Sequence, residues 1–330
     1  MIRVCIAGNS GHAATVTRAL PRLPQVEIVG WCRTWPGEPM TEVLEDFHTL
    51  GLTPTEYPDY ITMLDAEKPD VLVVDGLFCD HEDMTCTALA RGIHVYCDKP
   101  LALTLEGLER VRQAAENSSA LLWAMQTARY DAWFYTAKKL IDAGAIGDIR
   151  LLTAQKSYRL GERADFFRKR AQHGGLIPWV AIHGIDFIRY LCPCAVKSIF
   201  AHHSAQANHG YGDLEVSAQL MMTLEGEISA QVSADYLRPA NAATHGDDRV
   251  RAAGTRGVIE VRDEQVWLIN DDHDGSQPMP LEYPPMIFED FIDTISGHGT
   301  GLLDLSESIE DSRLALLARN AADTNTCVRI

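Results

Sequence analysis

The first 125 residues alternate short apolar runs with stretches of helical spacing, and few folds accept that alternation. RVCIAG (3–8), VEIVGWC (26–32), DVLVVDG (70–76) and IHVYC (93–97) read as strands. Between and after them, HAATVTRAL, TEVLEDFHTLG, EDMTCTALARG and the run from Thr104 space their apolar residues as helices do. Gly51 and Gly92 stand where the second and third of these should stop. SALLWAM (119–125) reads as a closing strand. Strand–helix units repeated at this length predict βαβ crossovers around a parallel, doubly wound sheet.

Near residue 125 the pattern changes. AWFYTAKKLIDAG reads as a helix, and then IRLLTAQKSY, VKSIFAHHS, EVSAQLMMTL, EISAQVSADY, RVRAAG, GVIEVR and QVWLIN follow as strands. Short turns such as Glu225-Gly226 between them predict a broad, largely antiparallel sheet. Two helices, near 286–296 and 305–321, end the chain. The expected organisation is a doubly wound domain over 1–124 and an α+β domain with a large open sheet over 125–330.

Charge and cysteine usage narrow the function. With 46 acidic residues against 29 Lys plus Arg, the net charge is −17. Nucleic acid and anionic membranes reward positive potential, so neither is an expected partner. No run of 18 apolar residues is present, and the first strand starts too early for a signal peptide. Cys5, Cys32 and Cys97 fall in apolar strands, and Cys192-Pro-Cys194 has no second pair to complete a zinc site, so no metal is expected. Reduced thiols point to the cytoplasm.

The loop after the first strand, Gly8-Asn9-Ser10-Gly11-His12, is where a doubly wound sheet holds a pyrophosphate on backbone N–H groups and a helix N-terminus. Its position makes Gly8 to His12 a dinucleotide-binding candidate. An NAD site places an acid at the end of the second strand for the ribose 2′-hydroxyl. This chain has Arg33-Thr34 there, and no carboxylate. A guanidinium forks onto phosphate, so NADP is expected ahead of NAD.

PDVLVVDGLFCDHEDMTCTALARGIHVYCDKPLALT resembles the corresponding segment of the Gfo/Idh/MocA family, the glucose–fructose oxidoreductase and inositol dehydrogenase group. Asp98-Lys99-Pro100 matches that family's Glu-Lys-Pro motif. GGLIPWVAIHGID (174–186) resembles its glycine-led helix, with the catalytic histidine at His183, and RVRAAGTRGVIEVR (249–262) resembles its C-terminal sheet motif. The resemblance implies NAD(P), a sugar or polyol substrate, and catalysis by Lys99 and His183. It brings Leu77, Phe78, His81 and Asp98 to the cofactor. Two places depart from the pattern. Trp179 replaces an aspartate four residues before the histidine, and Gly76-Leu77-Phe78 replaces Thr-Pro-Asn.

Lys99 stands at the carboxyl end of a strand, where parallel sheets open toward ligands, and desolvation brings a buried lysine toward the working range for proton transfer. If 178–191 is one helix, Trp179 and His183 share a face, and Asp186 lies where it orients the imidazole. KSYRLGERADFFRKR (156–170) has six basic and two acidic residues, and reads either as a solvated basic loop or as a flap over the substrate cleft, from which Lys156, Tyr158 or Arg159 reaches an anionic or hydroxyl-rich substrate. The expected function is hydride transfer to or from a sugar, polyol or related carbonyl compound, in a homodimer or homotetramer. The alternatives are a cofactor-holding regulatory or scaffold protein, and a lyase or hydrolase that works through transient oxidation.

Overall fold

The computed structural model describes residues 1–272 and 275–330. The chain divides into two compact units. One holds Met1–Gln126, Ala171–His173 and Pro285–Ser312; the other holds Thr127–Arg170, Gly174–Pro284 and Arg313–Ile330.

In the first unit, six strands form one sheet: β1 (Ile2–Ala7), β2 (Val26–Cys32), β3 (Thr55–Tyr57), β4 (Val71–Val74), β5 (His94–Cys97) and β6 (Leu122–Ala124). Their order is β3-β2-β1-β4-β5-β6, with every neighbouring pair parallel. The connections are α1 (Ala14–Ala19), α2 (Thr41–Leu50), α3 (Tyr60–Glu67), α4 (His81–Ala90) and α5 (Leu105–Glu116). Helix starts follow local chemistry. Asp59 accepts the Thr62 N–H to open α3, and the Thr104 hydroxyl accepts the Gly107 N–H to open α5. The sequence reading missed β3 and α3, because TEY is too short and too polar to register as a strand. Strand order reverses between β1 and β4, and at such a switch point the loops diverge and leave a crevice. Tyr96 and Trp123 anchor the core under the helix Ile287–Ile295, with ring centroids 5.2–5.5 Å from Phe288 or Phe291.

The second unit is built on nine strands: β7 (Ile149–Arg159), β8 (Val196–Ser204), β9 (Ser217–Leu224), β10 (Ile228–Arg238), β11 (Gly246–Gly254), β12 (Gly257–Arg262), β13 (Gln265–Asn270), β14 (Gln277–Met279) and β15 (Val328–Arg329). The order is β14-β13-β12-β11-β7-β10-β9-β8-β15. The β7–β10 pair is parallel and the other pairs are antiparallel. Burial alternates along β9 and β10, as expected for a sheet covered on one face. On the other face Leu151, Phe200 and Met221 are exposed. The parallel and mainly antiparallel sheets are those the sequence predicts. Among the described residues no helix is long and apolar enough to cross a membrane.

Candidate functional site

At the switch point of the first sheet, the loop after β1 and the exit of β4 are in contact. Gly8 has φ 89°, and a Cβ there would come within 2.6 Å of the Gly76 backbone. The Ser10 N–H donates to the Asp75 carbonyl at 2.7 Å. Only a residue without a side chain lets the two loops approach this closely.

Two buried acids lie under this loop. Asp75 accepts the N–H groups of His12 (3.1 Å) and Ala13 (2.8 Å), where α1 begins. Asp98 accepts His12 Nδ1 at 3.0 Å and the Lys99 N–H at 2.8 Å. A Cβ on Gly11 would fall 1.7 Å from Asp98 Oδ2, so this glycine is fixed by the acid beneath it. Burial pushes the Asp75 carboxyl well up, and the charge of Asp98 pushes it further. Burial also works against the Asp98 carboxylate, but His12 and Lys99 outweigh it and hold the group down, at about 2. Two carboxylates this close titrate as a pair and keep one proton between them.

Lys99 is 1% exposed, one residue past Asp98 and two past the end of β5, and its bond to Pro100 is cis. His81 holds this exit in place. Its Nδ1 lies 2.9 Å from the Pro100 carbonyl and its Nε2 3.2 Å from the Gly76 carbonyl, which ties the β4 and β5 exits together. Burial lowers the His81 pKa against the pull of Asp98 and the two carbonyls. Phe78 is fully buried, with its ring 5.5 Å from the His81 ring, and Leu77 is 9% exposed.

The end of β2 departs from the sequence expectation, which found no carboxylate there. The loop beyond it turns back and delivers Glu38, 2% exposed, into that place. Glu38 Oε1 accepts the Asn9 N–H (2.9 Å) and the Ser10 hydroxyl (2.8 Å), and Oε2 accepts the Thr34 N–H (2.7 Å) and hydroxyl (3.0 Å). Arg33 lies over the Trp31 ring at 5.1 Å, pairs with Glu56 and donates from Nε to the Glu38 carbonyl. A Pro-Gly turn in the sequence says nothing about where a residue beyond it returns, so Glu38 was not legible.

The other expected residues lie in the second unit. His183 is 1% exposed in the helix Ile182–Leu191. The single α-helix expected over 178–191 is not formed. Residues Ile177–Ala181 wind as a π turn ahead of the helix, so the i, i+4 relation assumed for Trp179 and His183 does not apply across the junction. Trp179 is 8% exposed and meets Phe167 edge-on at 6.3 Å. Asp186 pairs with Arg129 at 2.5 Å, both side chains being buried. Arg129 was not anticipated.

Lys156, Tyr158 and Arg159 belong to β7, the strand between β11 and β10, rather than to a flap. Lys156 pairs with Asp248 across the β7–β11 ladder, where the two residues are in register. Its ammonium lies 4.9 Å from the Tyr158 ring. Arg159 donates to the Ala240 carbonyl. The following loop is held by its own cations: Arg163 bonds the Leu160 and Arg159 carbonyls and lies 4.7 Å over Tyr236, and Arg168 bonds Gly210. Beside them a cavity of about 510 Å³ is lined by Arg159, Tyr211, Tyr236, Arg238 and His245, among others. Among the described residues no cluster of His, Cys, Asp and Glu has the form of a metal site.

Comparison with known proteins matches residues 2–126 to an oxidoreductase family with an NAD-binding Rossmann fold, and residues 134–260 to a GFO/IDH/MocA C-terminal domain. A solved Thermotoga maritima chain classed as an oxidoreductase is 40% identical with a TM-score of 0.96, each chain covered in full. Levoglucosan dehydrogenase, solved with NADH and levoglucosan, shares the fold at 17% identity and a TM-score of 0.84, over 100% of this chain and 99% of that one. Myo-inositol 2-dehydrogenase of Thermotoga maritima is 23% identical over 66% of this chain and 65% of its own length. The chain spans about half to two thirds of the length of curated relatives it matches.

Proposed function

The chain belongs to the GFO/IDH/MocA oxidoreductase family, and from that premise we propose that it binds NAD(P)(H) in its first unit and transfers hydride to or from a sugar, polyol or related carbonyl compound. The observation that supports this most is Lys99, buried beside Asp98 at the carboxyl edge of a parallel sheet and next to a loop that already grips an anion. That anion is the Glu38 carboxylate, held by two N–H groups and two hydroxyls from the glycine loop and the β2 exit. A donor set of this kind fits the oxygen-rich ribose and phosphates of a dinucleotide.

A bound nicotinamide supplies the hydride acceptor or donor. In the oxidising direction the substrate hydroxyl gives its proton to Lys99 Nζ as the C–H bond breaks; in reverse, the Lys99 ammonium polarises the carbonyl and returns the proton. Asp98 fixes the lysine's main chain and contributes negative charge beside it. His81 holds the strand exits, so that Lys99 is placed before substrate arrives. His183 is the second proton-handling group that the family resemblance assigns. Inositol 2-dehydrogenase and levoglucosan dehydrogenase, named among the relatives and fold neighbours, make hydroxylated rings the first substrates to try. The aromatic and cationic cavity beside Tyr236 suits such a molecule or an anionic derivative of it. Arg33 and Thr34 favour NADP(H), as the sequence suggests, whereas Glu38 opposes it.

The test is a titration with NADH and NADPH, followed by a panel of sugars, polyols and uronates read by nicotinamide absorbance. Binding of one nucleotide and turnover of one panel member is expected. Failure of both nucleotides to bind would end this reading. The eight free cysteines support a cytoplasmic setting. Leu151, Phe200 and Met221, exposed on the bare sheet face, support a homodimer or homotetramer; a monomer by light scattering at micromolar concentration would exclude it.

A further inference from the structure

Glu38 is saturated. A carboxylate offers about four lone-pair sites, and the Glu38 carboxylate receives four donors: Asn9 N–H, Ser10 hydroxyl, Thr34 N–H and Thr34 hydroxyl. Two of these come from the glycine loop and two from the β2 exit, which is where a Rossmann sheet reads the adenosine ribose of its nucleotide. Arg33 adds a guanidinium one residue away, its Nε on the Glu38 carbonyl.

The two nicotinamide cofactors meet this arrangement differently. A ribose with a free 2′-hydroxyl needs an acceptor. The hydroxyls of Ser10 and Thr34 rotate, so either can release the carboxylate to the incoming 2′-hydroxyl and accept a bond itself. A 2′-phosphate needs the donors: those of Asn9, Ser10 and Thr34 are already spent on a buried anion, and Arg33 is paired with Glu56 nearer the surface. The phosphate enters only if Glu38 leaves, because two anions in one desolvated place repel. With Glu38 gone, however, Ser10 and Thr34 are free to donate to a phosphate, and Arg33 joins them by exchanging its exposed partner Glu56 for it.

Resting on the nucleotide reading above, we propose that Glu38 is the specificity-determining residue of the cofactor site: it selects NAD(H), and it masks a latent NADP(H) site made by Ser10, Arg33 and Thr34. This reverses the preference that Arg33-Thr34 alone suggest, and assigns the decision to a residue supplied by the following loop.

Dissociation constants for NADH and NADPH, measured on the full chain by fluorescence titration, test it. The parent protein is expected to bind NADH at least about tenfold more tightly, since a 2′-phosphate brought beside the Glu38 carboxylate is repelled by it. Glu38→Gln removes the charge and keeps the shape, and Glu38→Ala removes both. Each is expected to weaken NADH binding and strengthen NADPH binding until the preference is lost or inverted. Adding Arg33→Ala to either variant should then weaken NADPH alone. Should the parent bind NADPH as well as NADH or better, the inference is overturned without need of a variant. A ratio unchanged in Glu38→Gln overturns it too. If neither nucleotide binds the parent, the cofactor reading itself fails and takes the inference with it.

Discussion

In the second unit, buried Arg129 meets Asp186 and buried Lys156 meets Asp248, cation against carboxylate. At the rim of the parallel sheet, two acids, Asp75 and Asp98, crowd together with His12 and Lys99, and the nearby carboxylate of Glu38 has gathered four donors. The first arrangement neutralises charge and completes a core. The second leaves charge clustered where strands end, which costs stability and is retained where a ligand is to be handled. Side chains that look alike in a sequence thus do different work, and the sign of the charge beside each one distinguishes them.

Removing Lys99 should break this contrast most visibly. Lys99→Ala is expected to lower turnover by about 10²-fold or more while cofactor affinity stays within a few-fold, because positioned acid–base groups are worth roughly that much. Steady-state kinetics on the substrate found by panel assay, with a nucleotide titration alongside, reads both. Near-normal turnover would move Lys99 to the structural class that Lys156 occupies.

Next come two exchanges of carboxylate for amide, predicted to differ in kind. Asp186→Asn leaves Arg129 buried against a neutral partner, and breaking such a pair costs about 3–5 kcal/mol. Urea unfolding should show that loss, and a midpoint unchanged from the parent would remove the pair from the core's account. Asp75→Asn should alter slope rather than level. The folded pKa of Asp75 is raised, so from about pH 4 upward, the usual range for a carboxyl in an unfolded chain, the folded state keeps a proton that the unfolded state has lost. Stability therefore falls as pH rises through that window. Asparagine does not titrate, so the variant's stability should be flatter with pH above about 4, with no such relief below it. Parallel curves for parent and variant would mean that Asp75 is ionised in the folded protein.

The unusual placing of Lys99, a buried charge at a strand exit, was legible in the sequence. A charged residue directly after an apolar strand has few structural reasons to be there, and by the same logic Asp75, after VLVV, was open to discovery. Strand and helix alternation was readable because burial imposes periods on a sequence, and both sheets followed from it. Glu38 was beyond reach, since its position depends on a loop folding back and no periodicity records that. The π turn at 177–181 was equally hidden: Pro178 marks the start of a helical segment but not how tightly it winds. Lys156, Tyr158 and Arg159 were misplaced into a flap because a charge count over 156–170 ignored the strand's own continuation to Arg159.

The pairing of β7 also sets a schedule for assembly. Its neighbours are β10 and β11, so Leu151 aligns with Ser229 on one side and Ala253 on the other. A strand made early must wait for partners dozens of residues downstream, and closing loops of that length costs entropy before any ladder bond offsets it. During synthesis one edge of β7 stays open until β10 is made and the other until residues beyond 250 have emerged, and an open strand edge is exposed to pairing with a wrong neighbour. Lys156 sits on that waiting edge, and a charge on an unpaired strand discourages such pairing. The ammonium that meets Asp248 in the finished sheet is thus also a charge on this strand while the strand has no partner.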